Sequence, residues 1–193
     1  LFRSAYELKD SFSLEKTLQY GMIPLVLSSS VSDKTLESYV DLYLQEEVKA
    51  EALVRKVGDF SRFLVAMSYS HASIMNLANI SRECGVPRKT LDGYFQILQD
   101  LLLGYTLPVF EKRAKREVTA HPKFYFFDVG VFRSLREQGF LDIATEEEGP
   151  ALEGLVAEHL RVWANMQKER CSLSFWRTRA GLEVDFILYG PKA

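Results

Sequence analysis

The feature of the sequence that most constrains its fold is a short hairpin near the C-terminal end. Residues 175–177 and 182–188 are apolar runs on either side of a Thr-Arg-Ala-Gly turn. Side chains alternate between the two faces of a strand, so Glu183 and Asp185 point the same way, and Ile187 is predicted to share their face. A carboxylate on a mostly apolar strand needs a metal, an arginine or a hydrogen-bond network as its partner. The hairpin therefore predicts a sheet that carries a polar site.

Composition narrows the class of protein. The 193 residues are 47% hydrophobic, enough for a substantial core. The apolar runs are far shorter than the ~20 residues of a membrane span, and no signal peptide opens the chain. Cys84 and Cys171 are isolated thiols, which is typical of a reducing compartment and excludes a zinc knuckle. We therefore expect a cytoplasmic protein without a membrane partner.

The charge is distributed unevenly along the chain. Residues 1–60 carry 7 Lys and Arg against 10 Asp and Glu, residues 61–124 carry 9 against 5, and residues 125–193 carry 8 against 11. The net charge of -2 gives no general attraction to nucleic acid. Only the middle segment is basic, so any contact with nucleic acid is expected there.

The middle segment has the pattern of a helix-turn-helix. Apolar spacing predicts helices over residues 60–67, 74–84 and 88–102, and Gly85-Val86-Pro87 forms the turn between the last two. Two apolar runs, 105–110 and 123–127, then read as strands on either side of a basic turn at 111–117. The stretch 76–91 resembles the winged-helix family, in which a glycine in the turn between two helices lets them cross closely. The basic turn at 111–117 has the shape and charge of the wing in that family. That resemblance predicts a winged helix over residues 66–126.

Two groups of polar residues are candidates for contact with phosphates or base edges. They are Arg88, Lys89, Thr90 and Gln96 on the third helix, and Lys112, Arg113, Lys115 and Arg116 in the basic turn. Asp92 lies among the first group and would repel a DNA backbone. Winged helices also dock proteins, and the basic turn can equally be a solvated hairpin tip, so both interpretations stay open.

The third segment places one more acid beside the hairpin. Gly149-Pro150 predicts the start of a helix. We expect its buried stripe to consist of Leu152, Leu155, Val156, His159, Leu160 and Trp163. Glu153 then lies at the border of this stripe and Glu158 on the far side. We expect Glu153, Glu183 and Asp185 to converge at the open edge of the C-terminal sheet, where Arg177 can neutralise them.

Several motifs together resemble a known family. YGMIP at 20–24, SYVDLYLQ at 38–45, KFYFFDVG at 123–130, ALEGLVAEHL at 151–160, and FWRT with EVDF at 175–186 resemble the C-terminal two-thirds of bacterial and archaeal AAA-type ATPases. The C-terminal part of those proteins is similar to the PD-(D/E)xK nuclease fold. The resemblance covers nearly the whole chain.

The resemblance implies an ATPase domain upstream of Leu1. No G-x-x-x-x-G-K-[ST] occurs in this chain, so ATP and Mg²⁺ are expected only for a longer parent. The nuclease likeness implies Glu153 and Asp185 as catalytic and weak Mg²⁺-binding residues, with Glu183 as a third ligand. The E-x-K of the following strand is absent, and Lys192 does not replace it because Gly190 stands two residues before it. The site is therefore expected to be incomplete and inactive in this fragment.

These inferences predict an α+β chain in three parts. Residues 1–65 form a helical segment, 66–126 a winged helix, and 127–193 a truncated nuclease-like domain. The function predicted is a nucleic-acid-associated module of an ATPase, with duplex DNA and the upstream ATPase domain as partners. The alternative is a protein-interaction or assembly module, with a protein partner or a second copy. Its acids would be structural and pair with Arg177 or Arg179 across the hairpin.

Overall fold

A computed structural model describes residues 4–44, 56–110, 121–136, 145–178 and 181–191. The α-helices are α1 Ala5–Leu8, α2 Leu14–Tyr20, α3 Pro24–Leu27, α4 Ser32–Ser38, α5 Val57–Ser68, α6 Leu77–Cys84, α7 Arg88–Asp100, α8 Val129–Leu135 and α9 Thr145–Met166. A 3₁₀ turn covers Lys9–Ser11, and a π-helical stretch covers Tyr39–Leu44. The strands are β1 Ser73–Ile74, β2 Gly104–Leu107, β3 Lys123–Phe126, β4 Ser172–Arg177 and β5 Glu183–Tyr189. The fold is mixed α+β.

The middle of the chain alternates helices with a small antiparallel sheet. Asn76 caps α6 by accepting from the backbone N–H groups of Ala78 and Asn79. Gly85 ends that helix in the left-handed region (φ 67°), and α7 begins three residues later, as the glycine turn predicts. The strands are ordered β1-β3-β2, with Tyr105 opposite Tyr125. Strand β3 is therefore the central strand of this sheet.

Strand β3 separates two hydrophobic clusters. Phe124 and Phe126 belong to the larger cluster, which contains residues from α3 through to α9. Tyr125 points the other way, into a smaller cluster with Leu107, Ala157 and Phe175. The larger cluster combines side chains from all three predicted parts of the chain, and α5 runs across residue 65. The division at 65 and 126 stays a prediction.

The C-terminal hairpin contains a bulge that corrects the predicted faces. Arg177 pairs with Glu183 and Trp176 with Val184, but the register shifts before Ser174 pairs with Ile187. Two residues of β5 thus lie opposite one of β4, which interrupts the alternation. Ile187 consequently shares a face with Val184 rather than with the acids. Phe186, predicted on the face opposite the acids, packs against the smaller cluster.

Helix α9 also departs from the sequence prediction. It begins at Thr145, five residues before Pro150, and buried Glu147 in its first turn is paired with Arg133 and Arg136. The face that packs inward is built mainly from small residues: Ala151, Gly154, Ala157 and Ala164, with Leu155. Three residues predicted as buried are exposed instead, namely Leu152, Val156 and Trp163.

Glu158 shows what the small-residue packing permits. It is only 5% exposed, although the sequence pattern places it on the far side. Both of its carboxylate oxygens accept from Arg161, at 2.8 and 2.7 Å, and the guanidinium lies 4.5 Å from the centre of the Tyr105 ring. Because the inward face carries small side chains, the helix approaches the sheet closely enough to bury Glu158, while the Arg161 side chain stays 38% exposed.

Asp128 follows β3 and joins the N-terminal helices to the core. Its Oδ1 accepts from the backbone N–H groups of Gly130 and Val131, at 2.8 and 3.2 Å, and its Oδ2 from that of Met22 at 2.7 Å. Gly21 has φ 76°, and a Cβ there would lie 1.9 Å from Asp128 Oδ1. A glycine is therefore required next to this carboxylate. No helix in the described residues has the length and apolar character of a membrane span.

Candidate functional site

Three acids from two elements converge on one lysine. Lys123 Nζ lies 2.8 Å from Glu153 Oε1 and 3.1 Å from Asp185 Oδ1, and it also contacts Glu183 Oε1. Glu153 and the two strand acids, which we call the carboxylate cluster, therefore meet as the sequence predicts. The point at which they meet is an ammonium group rather than an empty sheet edge.

Each member of this site is positioned by regular structure. Lys123 is the first residue of β3, and its side chain shares the face of Tyr125. Glu153 projects from α9, while Glu183 and Asp185 lie on β5 ahead of or at the bulge. Bulges re-aim side chains, and here the acids face the helix and β3.

His71 and Gly154 fix the distance between α9 and β3. His71 is 2% exposed, and its Nδ1 accepts from the backbone N–H of Phe126 at 3.1 Å. Its ring stacks on Phe132 with centroids 4.2 Å apart. A Cβ at position 154 would lie 2.3 Å from His71 Nε2, so only glycine allows this approach. Glycine at position 154 therefore helps to bring its neighbour Glu153 to the lysine.

Burial makes this an unusual environment for a lysine. The Lys123 side chain is 3% exposed, against 22% for Glu153, 24% for Glu183 and 57% for Asp185. The ammonium also lies 5.4 Å from the centre of the Phe175 ring. Burial alone would lower the pKa of Lys123, but its hydrogen bonds to the three acids outweigh this effect and raise the pKa. The lysine is therefore held charged.

Tyr125 supplies a second donor to the same site. It is fully buried, and its hydroxyl donates to Glu153 Oε1 at 2.6 Å. Burial and this hydrogen bond raise the pKa of the tyrosine well above its ordinary value of 10.0. The phenol therefore stays protonated. Glu153 thus accepts from both Lys123 and Tyr125, which fixes its carboxylate firmly.

Arg177 has the neutralising role expected from the hairpin. Its guanidinium lies 3.3 Å from Glu183 Oε2, across the strand pair. The arginine side chain is 44% exposed, so the ion pair is open to solvent on one side. The second candidate for that pairing, Arg179, lies outside the described residues.

The candidate nucleic-acid residues divide into two groups. Arg88, Lys89, Thr90 and Gln96 are all exposed on α7. Two of them have acidic partners, since Arg88 lies 3.5 Å from Asp92 Oδ1 and Gln96 donates to Asp100 Oδ1 at 2.8 Å. Lys112, Arg113, Lys115 and Arg116 lie outside the described residues.

A divalent metal does not fit the site as it is arranged. Carboxylate oxygens are the ligands that Mg²⁺ prefers, at about 2.0–2.1 Å. The position that all three carboxylates share is, however, taken by the Lys123 ammonium. Among the described residues, no group of three or more His, Cys, Asp or Glu side chains has the arrangement of a metal site. The implied metal role of Glu153 and Asp185 therefore gains no support from this geometry.

Lys123 and Tyr125 are the members that the sequence prediction missed. Both stand in the KFYFFDVG motif, two positions apart on an apolar strand, and therefore on one face. A lysine in such a strand needs an acidic partner when buried. That signal, combined with the acid pair on β5, could have indicated the ion pairing.

Comparison with known families divides the chain between residues 143 and 148. Residues 148–193 match the model of a family described as Domain of unknown function (DUF4143), so Lys123 and the carboxylate cluster lie on opposite sides of this division. No curated protein and no solved structure matched the chain. Residues 11–143, more than half of the sequence, match the model of Domain of unknown function (DUF8612), and the chain belongs to that family.

Proposed function

We propose that this chain is a nucleic-acid-associated module of an AAA-type ATPase. In this proposal, residues 66–126 form a winged helix that contacts duplex DNA, and the C-terminal part carries an incomplete nuclease-like site. Domains of the family matched by residues 148–193 are commonly found in ATPase-associated proteins, which supports an ATPase as the parent. The ATP and Mg²⁺ of that activity belong to the parent and not to this chain.

The observation that carries the proposal is the arrangement around α7. Along the chain α5, β1, α6, α7, β2 and β3 follow one another, the Gly85 turn joins α6 to α7, and β3 pairs with both other strands; this order supports a winged helix. The first turn of α7 exposes Arg88, Lys89 and Thr90. The major groove, about 12 Å wide, admits a helix, and these side chains suit phosphate contacts.

The acids on the same helix limit the expected affinity. Arg88 is paired with Asp92, and Gln96 with Asp100, so both pairs must open before these groups reach DNA. The Arg88–Asp92 ion pair is exposed, and exposed ion pairs contribute less than about 1 kcal/mol, so this pair is a small barrier. Binding is therefore expected to be weak and independent of sequence, with a Kd of about 10⁻⁴–10⁻⁶ M.

The test is a titration of fluorescently labelled duplex DNA at 50 and 200 mM salt. The wild type should bind weakly and lose affinity steeply as salt rises, because released counterions drive the association. Replacing Arg88 and Lys89 together by alanine should lower the affinity further and flatten the salt dependence. A matched control replaces Lys168 and Arg170, which are exposed between α9 and β4. Equal loss in both double variants would contradict the assignment of α7.

A protein-docking function is the alternative, and one observation favours it. Each acid of the carboxylate cluster pairs with Lys123, and Glu183 also pairs with Arg177, as expected of structural acids. In this interpretation α7 docks a protein partner or a second copy of the chain. Absence of DNA binding at low salt, or binding that does not change with salt, would favour this alternative over the nucleic-acid proposal.

A further inference from the structure

We infer that Lys123 is the built-in cation of the carboxylate cluster, and that its ammonium and a divalent metal exclude each other at this site. The inference concerns the nuclease-like part of the proposed function and does not depend on DNA contact by α7. The sequence predicts an inactive site because the E-x-K is absent. The structure offers a different reason, since a lysine of the chain itself occupies the cluster.

The donor and acceptor count supports a complete internal site. A lysine ammonium has three N–H donors, and Lys123 Nζ has three carboxylate neighbours. Tyr125 adds one further donor to Glu153. The ammonium therefore has a carboxylate partner for each of its protons and needs no water or metal to complete the arrangement.

The same contacts leave no room for a metal. A divalent ion bound by these carboxylates would require their oxygens at about 2.0–2.1 Å from one point. The ammonium already lies at the point they share, within 3.1 Å of Asp185 Oδ1 and 2.8 Å of Glu153 Oε1. Two cations at such separations repel each other, and the Lys123 side chain is itself only 3% exposed. Metal can enter only if the lysine leaves.

The lysine is held in place by packing as well as by charge. Its side chain is 3% exposed and lies beside the Phe175 ring, and Tyr125 on the same strand is fully buried. Moving the ammonium out would open the contact of β3 with β4 and α9. The structure therefore favours the lysine-occupied state.

The position of Lys123 in the chain adds a consequence. The lysine lies within the region matched by the first family and the acids within the region matched by the second. Its ion pairs therefore join two sequence units that different family models describe. Exchange of the lysine for a metal would remove that connection.

The test is a Mn²⁺ titration followed by calorimetry and by thermal unfolding. Wild-type protein should show no saturable binding up to about 1 mM Mn²⁺ and no shift of its melting temperature, because bound ligand stabilises only where a site exists. Lys123→Met should gain a site that binds at least tenfold more tightly than the wild type and should melt at a higher temperature with Mn²⁺. Lys168→Met, in an exposed lysine outside both candidate sites, is the matched control and should behave as the wild type.

Two further variants keep the result decisive. Adding Asp185→Asn to Lys123→Met should abolish the gained binding. Lys123→Met combined with Glu183→Gln removes one repelling acid and keeps Glu153 and Asp185, so it is the second protein to titrate if the single variant does not fold. Saturable wild-type binding that Asp185→Asn abolishes would overturn the inference, as would a folded lysine variant that binds Mn²⁺ no better than the wild type. Failure of the DNA titration would leave these outcomes unchanged.

Discussion

Strand β3 has a buried ionisable group at each end, and the two are satisfied in different ways. Asp128, after its C-terminal end, accepts from three backbone N–H groups. Lys123, at its first position, is surrounded by three side-chain carboxylates. The first group is held by dipoles of the main chain, and the second by charges on side chains.

The difference suggests a purely structural role for Asp128 and a cation-binding site around Lys123. Backbone donors cannot leave without unfolding a turn or helix end, and Gly21 leaves no space for a change beside Asp128. The partners of Lys123 are side chains, and that of Asp185 is 57% exposed. Once the lysine is replaced, such partners can rearrange around another cation. We therefore expect substitutions at the two ends to differ in size and in kind.

The largest effect is expected at the Asp128 end. Asp128→Ala leaves three backbone N–H groups without acceptors, and a buried unsatisfied donor costs about 1–3 kcal/mol. We expect the free energy of unfolding to fall by about 4 kcal/mol, measured by urea denaturation. Asp92→Ala, in an exposed aspartate, should change it by less than about 0.5 kcal/mol. A small loss at Asp128 would show that water replaces the carboxylate there.

The next largest effect is expected at the lysine. Lys123→Met leaves three acids without their shared cation, and breaking a buried pair costs about 3–5 kcal/mol. Because the acids are partly exposed, we expect about 3 kcal/mol, the lower end of that range. Glu183→Gln in the same protein should restore part of the loss, since it reduces the repulsion. If the second change adds to the destabilisation, the acids do not share the lysine.

The pH dependence of stability gives a third, smaller effect. Burial raises the pKa of Asp128 to about 6 from 3.8, although its backbone donors oppose the shift. Burial lowers the pKa of His71 to about 3 from 6.5. Between pH 4 and 6 the folded state therefore holds a proton on Asp128 that the unfolded state lacks. In the same pH range His71 is neutral in the folded state but protonated in the unfolded state. The two contributions have opposite signs there, so they cancel.

Removing one group should expose the other. In Asp128→Asn only His71 remains, and stability relative to the wild type should fall by about 1.4 kcal/mol for each unit that pH is lowered from 6 to 4. In His71→Asn only Asp128 remains, and stability should fall by a similar amount for each unit that pH rises over the same range. Urea denaturation at five pH values measures both slopes. Parallel curves for the two variants would contradict the burial of these groups.

The smallest effect is expected at the edge of the carboxylate cluster. Arg177 pairs with Glu183 but is 44% exposed, and exposed ion pairs contribute less than about 1 kcal/mol. Arg177→Gln should therefore lower stability by about 0.5 kcal/mol and leave the Lys123 contacts in place. Arg170→Gln, in an exposed arginine, is the control. A loss as large as that of Lys123→Met would mean that Arg177 is the principal counter-ion.

Much of the C-terminal site could be predicted because it depends on local periodicity. Alternation places Glu183 and Asp185 on one face, and the residues before the bulge obey it. Ile187 does not, because the bulge depends on how β4 pairs and leaves no mark in β5 alone. The position of Lys123 depends on which face of β3 meets α9. That depends on tertiary packing, which the residue pattern of the strand alone does not indicate.

The packing of α9 was predicted less well for a related reason. Hydrophobic periodicity selects large apolar residues, and so it assigns Leu152 and Trp163 to the core. The helix instead turns its small residues inward, since Gly154 must approach His71. The close approach of α9 to His71 is favoured by the lack of a side chain at Gly154. An analysis based on hydrophobic spacing does not detect such a position. The winged helix and the DNA-contacting residues stay predictions.

The charge state of Lys123 tests the central claim most directly. In protein labelled with ¹⁵N at lysine side chains, its ammonium signal can be assigned by its loss in Lys123→Met. We predict a signal protected from exchange at neutral pH, a pKa above the ordinary value of 10.5, and a shift of that signal in Asp185→Asn. A Lys123 signal that titrates at or below that value, and exchanges as fast as that of exposed Lys89, would contradict the account.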